Sequence, residues 1–140
     1  MTDDERADLD ALLAAALRIA QREIEQVAAF DPFVLVVGSD GRMLSAEIDR
    51  SQLARHPESE ELAQAATEQL SGLAASVRAT ALTVTTRLAK ERSDAIEVRL
   101  DHRGGTSLVV IMPFKRPKFG GRIEYGDTSS FRGAHEVWPS

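Results

Sequence analysis

Two strand-like segments of this 140-residue chain are apolar at every position, and they constrain the fold more than any other feature. Segment 33–37 reads FVLVV and segment 108–112 reads LVVIM. A strand that is apolar on both faces belongs in the interior of a sheet that is covered on both sides. The sequence therefore predicts a sheet with these two strands at its centre and helices packed against it.

Turn signals join each apolar strand to a half-polar partner. An Asp-Gly pair at 40–41 precedes the return strand 43–48, and a Gly-Gly pair at 104–105 follows strand 95–101. Such pairs favour two-residue hairpin turns, because those turns need positive φ angles. Both hairpins are therefore predicted to have their glycines at the tip. The predicted facing pairs are Val37 with Leu44, Leu35 with Ala46, Leu100 with Val109, and Val98 with Ile111.

Helical periodicity marks two further segments. Thr2 followed by Glu5 fits a capping box, and apolar residues then recur every three or four positions as far as residue 30. A second pattern of this kind covers 58–77, with Gly72 as a point where the helix ends or bends. Strand-like alternation also covers 81–88, and 122–125 fits a short edge strand.

The predicted fold is α+β, with a five-stranded antiparallel sheet in the order 2-1-5-4-3 and two main helices. This order follows from placing the two fully apolar strands side by side. Its αββαβββ succession over residues 1–114 resembles the roadblock and profilin-like group. The expected organisation is one domain, 1–140, consisting of an N-terminal helix (2–30), the sheet with the second helix (33–114), and a basic loop with an irregular tail (115–140).

Short strings along most of the chain also resemble a family of small bacterial proteins with no assigned activity. They are FDPF at 30–33, DGR at 40–42, DAI at 94–96, LDH at 100–102, IMPF at 111–114, and Gly121 leading to YG at 125–126. These are turn and strand motifs, so the resemblance implies no catalytic residue.

Composition excludes several classes of function. Without cysteine the chain can form no disulfide, thiol nucleophile or cysteine-based metal site. Its histidines show no metal-ligand spacing, so no metal or cofactor is expected. No apolar run approaches the ~20 residues of a membrane-spanning helix, and the expected setting is the cytoplasm. The net charge of −5 disfavours nucleic-acid binding, although residues 103–140 alone carry +3.

Candidate reactive or binding residues each have a simpler structural explanation. His102 beside Asp101 suggests acid–base chemistry, but neighbouring strand residues point to opposite faces. The glycine-bearing loop 38–41 leads into a strand, whereas a phosphate loop opens a helix.

The basic residues are candidates for contact with an anion, or simply a solvated loop; they are Lys115, Arg116, Lys118 and Arg122. The glutamates Glu58, Glu60, Glu61 and Glu68 fit the first turn of a helix together with its solvated face. Trp138 fits an anchor for the tail.

These observations favour a non-catalytic interaction module that forms a homodimer. One form is an immunity- or adaptor-like protein that masks a basic partner. The predicted interface is an apolar stripe on the second face of the sheet, formed by Val34, Val36, Leu108, Val110 and Met112. The alternative is a small-ligand sensor or carrier with a pocket between helix and sheet. An enzyme would need His102 or His135 to meet carboxylates across the fold.

Overall fold

The computed structural model describes residues 1–27 and 30–138, and it shows an α+β fold. In chain order the elements are α1 (Asp3–Gln26), β1 (Phe33–Gly38), β2 (Met43–Ala46), α2 (Ser59–Leu73), β3 (Val77–Leu88), β4 (Ser93–His102), β5 (Ser107–Lys115), β6 (Glu124–Tyr125) and β7 (Ser129–Arg132). The strands form an antiparallel sheet in the order β2-β1-β3-β4-β5-β6, and β7 also pairs with β5.

Helix α1 begins at the predicted cap. Thr2 Oγ1 accepts a hydrogen bond from the Glu5 main-chain N–H at 3.1 Å. The Glu5 carboxylate accepts a hydrogen bond from the Thr106 hydroxyl, so it reaches the β4–β5 turn. The helix ends at Gln26, so the predicted end at residue 30 is wrong: Val27 already has an extended backbone, and Phe30 is not helical. Residues 28 and 29 lie outside the described residues. Its buried stripe consists of Leu9, Leu12, Ala16, Ala20 and Ile24.

The predicted strand order 2-1-5-4-3 is wrong, because β1 pairs with β3 and two strands separate it from β5. The reason lies in β3, which begins at Val77 rather than at residue 81. Its alanines Ala79 and Ala81 are fully buried, and Thr80 and Thr83 are buried almost as completely. Small residues and threonines therefore fill the centre of the sheet, where the sequence pattern favoured larger apolar side chains.

Both predicted hairpin registers are wrong by one residue, for the same reason. Gly38 N–H donates to Arg42 O at 2.9 Å, and His102 N–H donates to Thr106 O at 2.9 Å, so each loop has three residues. The third loop residue is a glycine with positive φ in both hairpins, +87° at Gly41 and +113° at Gly105. The observed facing pairs are Val36 with Leu44, Val34 with Ala46, Leu100 with Leu108, and Val98 with Val110.

The sheet separates two hydrophobic cores. Helix α1 covers one face, which we term the α1 face and which carries Leu35, Val37, Val98, Leu100 and Val110. Helix α2 packs against the other, the α2 face, over Val34, Val36, Leu82 and Val84. Helix α2 ends at Leu73, directly after Gly72 and four residues before the predicted end.

The C-terminal region is more ordered than the predicted irregular tail. It contributes β7 to the sheet, and residues 133–138 then cross the α2 face as a segment that we term the strap. Gly133 N–H donates to Ser107 O at 2.9 Å, and Trp138 Nε1–H donates to Ala74 O at 3.1 Å. Val137 is buried in the α2 core. The predicted anchoring role of Trp138 agrees with this hydrogen bond and with its packing against that core.

Candidate functional site

A groove runs along the α2 face beside the helix. Helix α2 packs over β1 and β3, so the neighbouring strands β4, β5 and β7 present part of this face at the helix's side. We term the depression the α2 groove. It has a smaller part next to the strap, the inner cavity, and a larger part along the first turns of α2, the outer trough.

The inner cavity is mainly apolar and has a volume of about 250 Å³. Helix α2, the sheet and the strap all contribute to its wall. Its apolar lining includes Leu70, Leu82, Val109, Phe131 and Val137. The polar and charged residues of its lining include Thr80, Arg99, Asp101, Ser107, Arg132 and Glu136.

The outer trough is acidic and has a volume of about 600 Å³. Its charged lining residues within the described chain are Arg99 and four glutamates, Glu60, Glu68, Glu97 and Glu136. Arg99 Nε donates to Glu97 Oε2 at 2.6 Å, so the only cation of the trough lining already has a carboxylate partner. Thr67, Arg99 and Glu136 line both parts, which makes the groove continuous.

Asp101 joins the strap to the floor of the inner cavity. Its Oδ2 accepts a hydrogen bond from the Val137 main-chain N–H at 2.9 Å. Its Oδ1 has no hydrogen-bond partner among the described residues, although the side chain is only 7% exposed. His135 Nδ1 lies 3.5 Å from this oxygen. A buried carboxylate oxygen without a donor costs free energy, so the hydrogen bond at Oδ2 is the main compensation for burying this side chain.

His102 belongs to a different cluster, on the α1 face. Its Nδ1 accepts a hydrogen bond from Gly104 N–H at 2.9 Å, so Nε2 carries the proton that Asp8 Oδ2 accepts, also at 2.9 Å. Arg78 donates to both oxygens of Asp8 at 2.9 Å. Burial alone would raise the pKa of Asp8, but the hydrogen bonds from Arg78 and His102 outweigh it and lower that pKa. Both ring nitrogens of His102 are occupied, which favours a structural role.

Asp101 and His102 point to opposite faces of β4, as the alternation of strand side chains predicts. Asp101 lies near Ser107 and His135, a residue set that some hydrolases use. The Ser107 hydroxyl, however, accepts its hydrogen bond from the main-chain N–H of His135, at 3.2 Å. Nothing in that contact directs the imidazole at the hydroxyl.

The basic candidates divide into one structural residue and three exposed ones. Arg116 Nη2 donates to the carbonyl oxygens of Ile24 and Val27, at 2.8 and 2.9 Å, and so satisfies the C-terminal end of α1. Lys115, Lys118 and Arg122 are exposed. Phe119, between the last two, is 99% exposed. From here on, the term basic loop refers to residues 116–123 only.

The predicted apolar interface does not exist as one surface. Val34 and Val36 lie under α2, whereas Leu108, Val110 and Met112 pack in the α1 core on the opposite face. The error follows from the wrong strand order and the one-residue register shift, because such a shift moves every side chain to the other face.

Sequence analysis did not identify the α2 groove. Of the helical glutamates, Glu58 and Glu61 form a capping box, whereas Glu60 and Glu68 line the outer trough. One sequence feature could have indicated the groove: β4 carries polar residues at alternate positions, namely Glu97, Arg99 and Asp101. That series indicates a strand face without full apolar cover. The glycine-bearing loop 38–41 is a hairpin turn, as predicted.

Comparison with known proteins gives no relative for this chain: no family model, curated protein or solved structure matches it. Across residues 1–27 and 30–138, no group of three or more histidine, aspartate or glutamate side chains is placed to hold a metal ion. Nor does any helix in those ranges combine the length and apolar character needed to cross a membrane.

Proposed function

We propose that this protein is a non-catalytic interaction module and that its binding site is the α2 groove. The ligand is a basic segment of a protein that inserts one apolar side chain into the inner cavity. The single observation that carries this proposal is the arrangement of the groove, in which an apolar cavity opens into a trough lined by four glutamates and one paired arginine.

The dimensions of the inner cavity support a side chain as its occupant. Its volume of about 250 Å³ exceeds that of a closed cavity of about 150 Å³ that holds benzene, so the volume is sufficient for a phenyl ring. Pockets for independent small ligands usually measure about 300–1,000 Å³. At protein interfaces, much of the binding energy commonly comes from a few side chains that fill pockets, and the surrounding rim is polar.

The charges of the trough support a cationic ligand. Glu60 and Glu68 are exposed on α2, without an ion-pair partner in the described chain. Glu97 stands on β4, and Glu136 accepts a hydrogen bond from the Thr67 hydroxyl of α2. Asp101 adds a carboxylate to the wall of the inner cavity. Lysine and arginine side chains supply the donors and the positive charge that such a surface lacks.

A titration with two synthetic peptides tests the proposal. The capped peptide KRFRK carries an aromatic side chain between cations, and EDFDE is its acidic counterpart. Isothermal calorimetry at low salt should detect KRFRK alone, with binding that weakens as salt is added. The double variant Glu60→Lys/Glu68→Lys should lose at least about tenfold in affinity, or about 1.4 kcal/mol.

The matched control is Glu91→Lys/Asp127→Lys, which changes the net charge equally at two exposed positions outside the groove. It should bind KRFRK nearly as the wild type does. Absence of KRFRK binding, or an equal loss in the two double variants, would contradict the proposal.

A small-ligand carrier is the second candidate. The observation that favours it is the strap, which helps to close the inner cavity over an apolar lining. Binding of apolar or amine-bearing small molecules to wild type and to Glu60→Lys/Glu68→Lys with equal affinity would support this candidate, because such ligands do not need the trough.

A further inference from the structure

The basic loop has the chemistry that the α2 groove requires of its ligand. Phe119 is 99% exposed and stands between Lys118 and Arg122, which are also exposed. Gly120 and Gly121 follow it with φ angles of +86° and +108°, so the chain turns sharply behind the ring. The loop therefore presents an aromatic side chain between two cations at a turn.

The loop is fixed at its base. Arg116 is bound to the carbonyl oxygens of Ile24 and Val27, and Ile123 packs against the α1 core. Arg122 and Glu25 line the same shallow depression at the end of α1. Because both ends of the loop are held, ordering the loop on binding costs little conformational entropy.

These contacts place the base of the loop on the α1 face, whereas the groove lies on the α2 face. The sheet stands between them, so the loop base is held away from the groove of its own chain. Two complementary surfaces on opposite sides of one molecule do not reach each other, so each of them binds its counterpart on another molecule.

We propose that the partner of the α2 groove is the basic loop of a second copy of this chain, with Phe119 inserted into the inner cavity and Lys118 and Arg122 against the glutamates of the outer trough. The inference rests on the proposed function of the groove. The contact joins two different surfaces, so it is heterologous and builds short chains or closed rings unless two copies engage reciprocally.

Sedimentation velocity over a range of protein concentrations tests this inference. The wild type should self-associate at about 200 μM in low salt and dissociate as salt rises. Phe119→Asp is well suited as a variant because the side chain makes no buried contact in the folded chain. Phe119→Asp and Glu60→Lys/Glu68→Lys should each associate at least about tenfold more weakly, whereas Glu91→Lys/Asp127→Lys should behave as the wild type.

Mixing the two defective variants gives the decisive result. Phe119→Asp retains an intact groove and Glu60→Lys/Glu68→Lys retains an intact loop, so an equimolar mixture should form 1:1 complexes that grow no further. A mixture that remains monomeric, or variants that associate as well as the wild type, would overturn the inference.

Other outcomes separate this inference from the proposed function. A monomeric wild type that binds KRFRK would overturn the self-contact and leave the groove's function in place. A monomeric wild type that pellets with phosphatidylserine vesicles, and loses this on Phe119→Asp, would assign the loop to an anionic lipid surface and equally overturn the inference. Failure of KRFRK to bind would remove the proposed function, whatever the oligomeric state.

Discussion

Replacing Asp8 with alanine should destabilise the fold by removing the polar link between α1 and the sheet. Asp8 accepts two hydrogen bonds from Arg78 and one from His102, each 2.9 Å long, and its side chain is 11% exposed. Loss of one partner from a buried ion pair costs about 3–5 kcal/mol. Arg78 is one-third exposed and can be hydrated again, which reduces that cost.

His102 makes the larger contribution to the expected loss. Its side chain is only 9% exposed, so Nε2–H would lose its acceptor with little access to water, at a cost of about 1–3 kcal/mol. The alanine returns about 0.5 kcal/mol of helix propensity. We expect a net loss of about 2–3 kcal/mol in the free energy of unfolding, measured by urea denaturation.

Asp10→Ala is the matched control, because Asp10 is exposed on the same helix and has no hydrogen bond or ion pair in the described chain. Its free energy of unfolding should stay within about 0.5 kcal/mol of the wild type. Equal effects of Asp8→Ala and Asp10→Ala would refute the reasoning.

The same cluster has a defined pH dependence. The pKa of Asp8 in the folded protein is lowered from its ordinary 3.8, so the carboxylate stabilises the fold at pH values above 3.8. That stabilisation is lost as pH falls through the lower, folded pKa. The difference in stability between wild type and Asp8→Asn should therefore be full at neutral pH and shrink below pH 3.8. A difference that grows on acidification would contradict this assignment.

Three further substitutions test local features of the fold by chemical denaturation. Gly41→Val should cost about 1 kcal/mol or more, because a β-branched residue resists the φ of +87° found there, and an unchanged melt would reject the turn. Trp138→Ala should cost about 2–3 kcal/mol, and the native emission of this single tryptophan should be blue-shifted; an emission typical of free tryptophan would contradict its packing. Gly72→Ala should stabilise α2 by about 0.5 kcal/mol, since nothing lies within 4 Å of the added carbon, and destabilisation would count against that helix boundary.

Local sequence signals predicted the elements well and their mutual arrangement poorly. The capping residue Thr2 and the turn glycines act locally, so the residues themselves carry the information. Gly72 lies inside α2, one residue before its end. The choice between a two-residue and a three-residue hairpin loop depends on one extra position. Gly41 and Gly105 suit either loop, because both loops place a residue at positive φ.

Strand order and the candidate site depend on tertiary packing, which local sequence patterns do not predict. The central position of β3 rests on the tight fit of Ala79 and Ala81 below α1, and on threonines that are buried without being apolar. The groove arises because α2 covers only part of its face, which is a matter of helix position. Glu60 and Glu97 are distant in sequence, and only the fold brings them to one trough.

The strap gives the molecule a segment that can open on its own. It is attached through a few contacts, among them Val137 N–H to Asp101 and Trp138 Nε1–H to Ala74, whereas β4 is paired with a strand on each side. Its amides should therefore exchange with solvent through local unfolding, at a lower free energy than those of β4. A ligand that contacts the strap in the inner cavity would bind the closed form and suppress that opening by mass action. Slower exchange of the Val137 amide, with that of Val98 unchanged, would thus report directly how much of the cavity is filled.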